Sequence, residues 1–475
     1  MRGVEPDLRG RTRRGAGSDA RPRRHRRTRG AHVMNTPVDP AAAVDPALRR
    51  RAVTAAMIGN ATEWYDYATY GYLAAVLGAV FFPPGDPTLA LLASFATFAV
   101  AFLIRPLGAF LLGPLNDRIG RKRTLSITIL TMALATFAIG LLPGYGTIGA
   151  FAPIALILAR LVQGFAVGGE YGGAATFVVE YAPDARRGLW ASWLEFGAIG
   201  GFLLASGITT YLTYALPEAD LHSWGWRIPF LVALPLGTIG LYLRLRLTDT
   251  PAFNALAEQA AESQAPVREA FTRHRTRVLI CGGIVIYSSI GTYVLLTYMP
   301  TYLEQNLGMS AAAAQAQTFV VGAVLTACIP VAGALSDRLG RRTMLAAAAI
   351  GYPVLALPAF WLIGHATWGH TLAGLLMLTL CHIPVLGTTT ATLPALFPAR
   401  VRGTGVAVGY NLSFAVFGGT APLLMTILVN ATGNLYMPAF YLALVSLVAL
   451  VPILASPETA RKPLNPSPAA TPSRA

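Results

Sequence analysis

Twelve stretches of mostly apolar residues follow one another along the chain, at 53–82, 88–115, 124–143, 150–180, 189–215, 226–247, 277–303, 315–336, 343–364, 370–397, 403–429 and 435–456. Each is long enough to cross a bilayer, since a helix rising 1.5 Å per residue needs about twenty apolar residues to traverse the hydrocarbon core. In that medium the backbone must satisfy its own N–H and C=O groups, so the spans are expected to be helices. Composition agrees: charged residues make up 12% of the chain, against roughly 25% in a soluble domain. The expected fold class is an all-α integral membrane protein of twelve transmembrane helices, which excludes a large soluble enzyme.

Short loops, many marked by Pro or Gly such as Pro83-Pro84-Gly85, join the spans. The exception is a polar stretch at 248–276, carrying Glu258, Glu262, Arg268, Glu269, Arg273 and Arg275, which divides the spans six and six. Gly113-Pro114-Leu115-Asn116-Asp117-Arg118-Ile119-Gly120-Arg121-Lys122 recurs as Gly333-Ala334-Leu335-Ser336-Asp337-Arg338-Leu339-Gly340-Arg341-Arg342, each copy joining the second and third spans of its half. Parallel six-span repeats are a recognised transporter plan. The expected organisation is a disordered basic tail at 1–50, a six-helix bundle at 51–247, a central loop at 248–276, a second bundle at 277–457 and a disordered tail at 458–475. Residues 1–33 hold eleven arginines against three acids and no apolar periodicity; Met34 looks like an ordinary start. Basic residues crowd the even-numbered loops, and the odd-numbered loops hold almost none beyond Arg227. The positive-inside rule therefore predicts both termini in the cytoplasm, for a multi-pass protein of the inner membrane. Cys281, Cys328 and Cys381 stand singly in apolar segments, which argues against a disulfide framework or a metal site.

The first span is the most unusual. Within Gly59–Gly71, residues Asn60, Glu63, Asp66, Tyr67 and Tyr70 fall on one helical face. A charge at the centre of a span costs roughly 2.5–3.5 kcal/mol on insertion scales, so this face must line a cavity or meet partner charges. Arg105 lies twelve residues before Asp117, about 18 Å of rise and near mid-bilayer. Its planar fork suits a carboxylate, that of a substrate or that of Glu63 or Asp66. Span 4 places Arg160 and Glu170 on one side, with Gln163 between them. Tyr293 and Asn411 offer polar contacts from the second half. Glu63, Asp66 and Glu170 are the candidate proton carriers, Asp66 first because of its depth; desolvation moves such a carboxyl toward neutrality and a nearby cation lowers it again.

The paired G-x-L-x-D-R-x-G-R loops resemble those of the major facilitator superfamily. Together with 59–71, Arg105-Pro106-Leu107-Gly108, Arg160-Leu161-Val162-Gln163-Gly164 and Tyr298-Met299-Pro300-Thr301, they resemble its metabolite:proton symporters. That resemblance implies two pseudo-symmetric six-helix bundles, a role for Arg160 in proton movement, and gating by Asp117, Arg121, Glu180, Asp337 and Arg341, with Glu180 reaching Arg121. It also locates a departure: Ala395 stands where relatives commonly place Glu, which weakens a symmetric second gate. The expected function is proton-coupled import of a small organic acid or zwitterion by a monomer in the bilayer, with Arg105, Asn60, Tyr70, Gln163, Tyr293 and Asn411 at the substrate. No cofactor, metal or nucleic acid is implied. The alternatives are a proton-driven exporter of the same fold and a non-transporting sensor. An intramembrane enzyme is disfavoured, because H-E-x-x-H and a paired catalytic His are missing.

Overall fold

The computed structural model describes residues 45–109, 111, 121–168, 170–247 and 266–464, with backbone alone at 121–125, 170, 243–247 and 266–268. Span 1 is Pro46–Tyr72, continued after a break at Leu73 by Ala74–Phe81. Spans 2 to 6 are Pro87–Ala109, Arg121–Leu141, Phe151–Tyr181, Asp184–Ala215 and the pair Glu218–Gly225 with Arg227–Leu247. Spans 7 to 12 are Arg275–Gln305, Ala311–Leu339, Arg341–Ile363, Trp368–Ala395, Ala399–Thr432 and Met437–Ala455.

Nine of these helices are long and apolar enough, among the described residues, to cross a membrane; the sixth, bent by 43°, makes a tenth. The first falls short because Asn60, Glu63, Asp66 and its tyrosines lower its hydropathy, and the part of the third described with side chains, Ser126–Leu141, is apolar but shorter than the length required. Local chemistry sets the starts. Asp45 and Asp86 cap spans 1 and 2 ahead of a proline, accepting from Ala47 N at 2.9 Å and Thr88 N at 2.8 Å, and Ser310 caps span 8. Spans 7 and 11 each contain a π-helical turn, Val294–Tyr298 and Phe414–Gly418. Such turns often re-aim side chains at functional positions. Large apolar residues such as Leu380 and Val451 are exposed on the outer surface, where lipid tails replace water.

The two halves meet most closely where span 5 runs against span 8. A Cβ at Gly188 would lie 2.4 Å from Gly333 O, and one at Gly333 would lie 2.5 Å from Ser192 Oγ, so both positions must be glycine for the backbones to touch. Gly188→Ala should therefore push these helix ends apart by roughly 1 Å. Hydrogen exchange of the Gly188–Ser192 amides is expected to accelerate, while Gly200→Ala, where nothing lies within 4 Å, leaves it unchanged.

One expectation is corrected. Residues 458–464, assigned to a disordered tail, cross the end of the bundle that bears the basic loops. Glu458 accepts from the backbone N–H groups of Arg341 and Arg342 at 3.0 and 3.1 Å, sitting on the orphan donors at the start of span 9. Arg461 Nε donates to Asp337 O at 2.7 Å, and Leu464 packs against Val179, Ala191 and Ala391.

Candidate functional site

Span 1 is the hub of its half because its polar stripe is answered by a different neighbour at almost every turn. Asn60 Nδ2 donates to Leu194 O of span 5 at 2.8 Å, and Tyr65 Oη donates to Pro229 O of span 6 at 2.7 Å. Tyr70 Oη donates to Ser94 O of span 2 at 3.1 Å. Glu63 meets Arg105 of span 2, with Nη2 2.7 Å from Oε1 and both groups buried. A buried ion pair of this kind holds mainly because each charge would be costly alone.

Arg105 is only partly engaged by that contact. Its Nε and Nη1 make no hydrogen bond among the described residues. The guanidinium instead lies over Tyr67 at 4.7 Å, Phe102 at 5.1 Å, and Trp64 and Phe414 at 5.7 Å. Aromatic faces attract a cation without using its donors, which leaves two nitrogens, Nε and Nη1, for an incoming acceptor.

Asp66 sits one turn from Glu63 but in a different circuit. Thr136 of span 3 donates from Oγ1 to Asp66 Oδ2 at 2.9 Å, and Thr136 accepts from Gln163 Nε2. Arg160 Nη1 donates to Gln163 Oε1 at 2.9 Å, and its guanidinium lies 4.3 Å from the Tyr70 ring centre. Asp66 forms no ion pair within 4 Å among the described residues. It is therefore linked to the Arg160 charge through two neutral side chains. Neither Asp66 nor Arg160 is among the residues lining the small cavity between the halves. Helical phase assigns a face but not which neighbour covers it.

Between the halves lies a small cavity lined by Trp64, Tyr171, Glu195, Phe202, Tyr410 and Phe414, among others, with about 20 Å³ of free volume. That is room for one water. Toward the face opposite the basic loops, a wider vestibule of about 820 Å³ is lined by residues including Leu73, Pro83, Glu218, Glu304 and Gln315. Above the small cavity, Tyr293 is ringed by Phe98, Phe102, Phe202 and Phe414 at 5.4–6.1 Å, and its hydroxyl has no partner among the described residues.

The basic end is shut. Asp337 of span 8 accepts from Gly188 N at 2.7 Å and Leu189 N at 3.0 Å, placing a carboxylate at the start of span 5 in the opposite half. Glu180 of span 4 pairs with Arg402 of span 11 at 2.7 Å, again across the halves. Arg341, fully buried, reaches Asp337 at 3.3 Å, Ala391 O and Thr459. The segment 458–464 completes this layer, for Arg187 donates to Lys462 O at 3.2 Å and Arg402 to Leu464 O at 3.2 Å. Burial opposes ionisation of Glu458, but N–H groups from Ala460, Arg341, Arg342 and Thr459 outweigh it and hold its carboxyl below the usual value. A lowered carboxyl stabilises the folded contact above the ordinary glutamate range, and that contribution is lost as pH falls through the lowered value. The segment should stay clamped at neutral pH. Glu458→Gln is expected to speed tryptic cleavage after Arg461 at pH 7 relative to wild type.

The sequence-derived candidates thus separate. Glu63 with Arg105, and Asp66 with Gln163 and Arg160, are brought together. Asn60, Tyr70 and Gln163, expected at the substrate, use their polar groups on protein partners, Asn60 Oδ1 accepting from Trp64 Nε1 at 3.1 Å. Asn411 likewise donates to Gly168 O across the halves at 2.9 Å. Asp337 and Arg341 lie in the closed end, and Arg402 is one partner of Glu180. Asp117 and the side chains of Arg121 and Glu170 lie outside the described residues. Thr136, Trp64, Tyr171, Glu195, Thr390, Tyr410 and Arg402 were not singled out as site residues. Glu195, an acid within an apolar span, was the one carrying a readable signal.

The Major Facilitator Superfamily matches residues 65–410 and 283–474. The "Proline/betaine transporter" of Escherichia coli (strain K12) is 44% identical over 434 residues, covering 89% of this chain and 86% of that protein. The "Glycine betaine/proline/ectoine/pipecolic acid transporter OusA" of Dickeya dadantii (strain 3937) is 43% identical over 440 residues, covering 90% and 87%. Among solved structures, the proton:xylose symporter XylE bound to 6-bromo-6-deoxy-D-glucose superposes with a TM-score of 0.72 at 19% identity, covering 89% of this chain and 98% of that one. The chain therefore belongs to the Major Facilitator Superfamily of multi-pass membrane transporters.

Proposed function

We propose that this protein is a proton-coupled importer of small zwitterions of the betaine and proline class, working as a monomer in the inner membrane with its basic end in the cytoplasm. The observation that carries the reading is the division of labour on span 1. Among the described residues, Arg105 has two donor nitrogens unengaged beside Glu63, while Asp66 stands in a separate circuit without an ion-pair partner. One group suits a carboxylate; the other can gain or lose a proton without breaking a salt bridge. The named substrates of the relatives at 43–44% identity all carry a carboxylate and a charged nitrogen, which supports that substrate class.

In the proposed cycle, substrate enters through the vestibule while the basic end is shut. Its carboxylate takes the free donors of Arg105, and Asp66 is protonated from the same side. The halves then rock, separating Asp337 from Gly188 and Glu180 from Arg402 as the vestibule closes. Loss of the proton from Asp66 to the cytoplasmic side, once the basic end has opened, resets the carrier.

Purified protein in proteoliposomes with the outside acidic should concentrate labelled glycine betaine or proline, and a protonophore should abolish the gradient-driven part. Uptake of citrate in preference to either zwitterion would overturn the substrate class. Accumulation that ignores the protonophore would overturn proton coupling.

A further inference from the structure

Glu195 is the buried acid that the cycle above leaves unused. It projects from span 5 between the halves and is 9% exposed. Its Oε1 accepts from Tyr171 Oη at 2.5 Å and from Thr390 Oγ1 at 2.9 Å, one hydroxyl from each half. Among the described residues, its Oε2 accepts no hydrogen bond and neither oxygen forms a salt bridge within 4 Å. Glu63 and Glu180 both have an arginine; Glu195 lines a cavity instead.

The other walls of that cavity are aromatic. Tyr410 stacks on Tyr171 with ring centres 3.8 Å apart and on Phe414 at 4.9 Å, and Trp64 meets Phe414 edge-on at 5.3 Å. Rings that surround a carboxylate form an environment that attracts a weakly hydrated cation, by the ring quadrupoles and by the full charge together. Two of these rings, Trp64 and Phe414, are also the ones against which Arg105 lies at 5.7 Å. The cavity therefore has an acid at one side and an arginine behind the opposite wall, with aromatic surface between them.

We infer that Glu195 and the rings of Trp64, Tyr410 and Phe414 form the subsite for the positively charged nitrogen of a zwitterion whose carboxylate goes to Arg105. The inference rests on the zwitterion reading above and adds the group that distinguishes such a substrate from a simple carboxylate. A free volume near 20 Å³ is too small for the ligand, so binding must part the Tyr171–Tyr410–Phe414 stack. Ring–ring contact is replaced by ring–cation contact, and the nitrogen supplies the counter-charge that Glu195 lacks. Because Tyr171 belongs to the first half and Tyr410 to the second, filling the subsite also couples the ligand to the relative position of the halves.

The test compares glycine betaine with 3,3-dimethylbutanoate, which has the same shape with carbon in place of the charged nitrogen. Competition against labelled glycine betaine is measured in proteoliposomes for wild type, Glu195→Gln, Tyr410→Leu and Tyr410→Phe, alongside thermal unfolding of each. Wild type is expected to prefer glycine betaine by roughly thirtyfold or more. Glu195→Gln and Tyr410→Leu should weaken glycine betaine by about tenfold or more without weakening the isostere, and Tyr410→Phe should retain most of the preference. Wild type that binds both compounds equally overturns the subsite whatever the variants do. Glu195→Gln that keeps its affinity but loses gradient-driven accumulation also overturns it, and makes Glu195 a proton site. If wild type transports citrate and neither test compound, the zwitterion reading has failed and the subsite falls with it; if wild type transports glycine betaine and the variants keep its preference, the subsite alone has failed.

Discussion

Arg105→Ala is expected to reduce zwitterion uptake by about a hundredfold or more, the largest loss from any single side chain in the first half. Two effects are superimposed. In the proposed cycle the substrate carboxylate loses the charged donor that Arg105 supplies, a contact of the strong, charge-assisted kind. Glu63, 4% exposed, also loses the arginine it meets at 2.7 Å, and removing one partner of a buried pair costs about 3–5 kcal/mol. The double variant Glu63→Gln, Arg105→Met separates them, since it removes both charges and keeps the volume. Its thermal stability should return toward wild type while binding of glycine betaine stays lost. Recovery of binding in the double variant would mean that Arg105 serves only to neutralise Glu63. Arg105→Lys should fall between, because an ammonium keeps the charge but not the fork that can hold Glu63 and a substrate together.

Asp66→Asn should separate coupling from transport. Asparagine has nearly the same shape and its carbonyl can still accept from Thr136, so the contact observed at 2.9 Å has a replacement. It cannot carry a proton. With one proton moved per substrate and a gradient of one pH unit, wild type can accumulate substrate about tenfold, the equivalent of about 1.4 kcal/mol. The variant should reach a ratio of about one, yet exchange internal for external substrate at a rate close to wild type. Uphill accumulation that survives Asp66→Asn would remove Asp66 from the coupling step. Loss of exchange as well as accumulation would instead make Asp66 part of the binding or gating machinery. Thr136→Val, which leaves Asp66 ionisable but without its neutral donor, should shift the pH dependence of uptake without abolishing coupling.

Much of this architecture is legible in the chain. Apolar length determined the spans, because a bilayer leaves the backbone no alternative to helix. The duplicated loop marked the two halves, and the polar stripe of span 1 was bound to be buried, since two acids on one face cannot look at lipid. What tertiary structure alone decided is pairing. Helical phase makes Glu63 and Asp66 equivalent; only the rotation of span 1 against spans 2 and 3 gives Arg105 to the first and Thr136 to the second. Hydropathy likewise treats Phe414 as it treats an outward Phe440, though one lies against the arginine and the other is exposed. The missing acid at Ala395 pointed to a weakened gate, yet Glu458, distant in sequence and beyond the last span, lies across the same end. Periodicity is a property of one helix and burial free energy is local, so both can be read along a chain. Which charge finds which partner depends on contacts between segments separated by many tens of residues, and those exist only once the helices have packed.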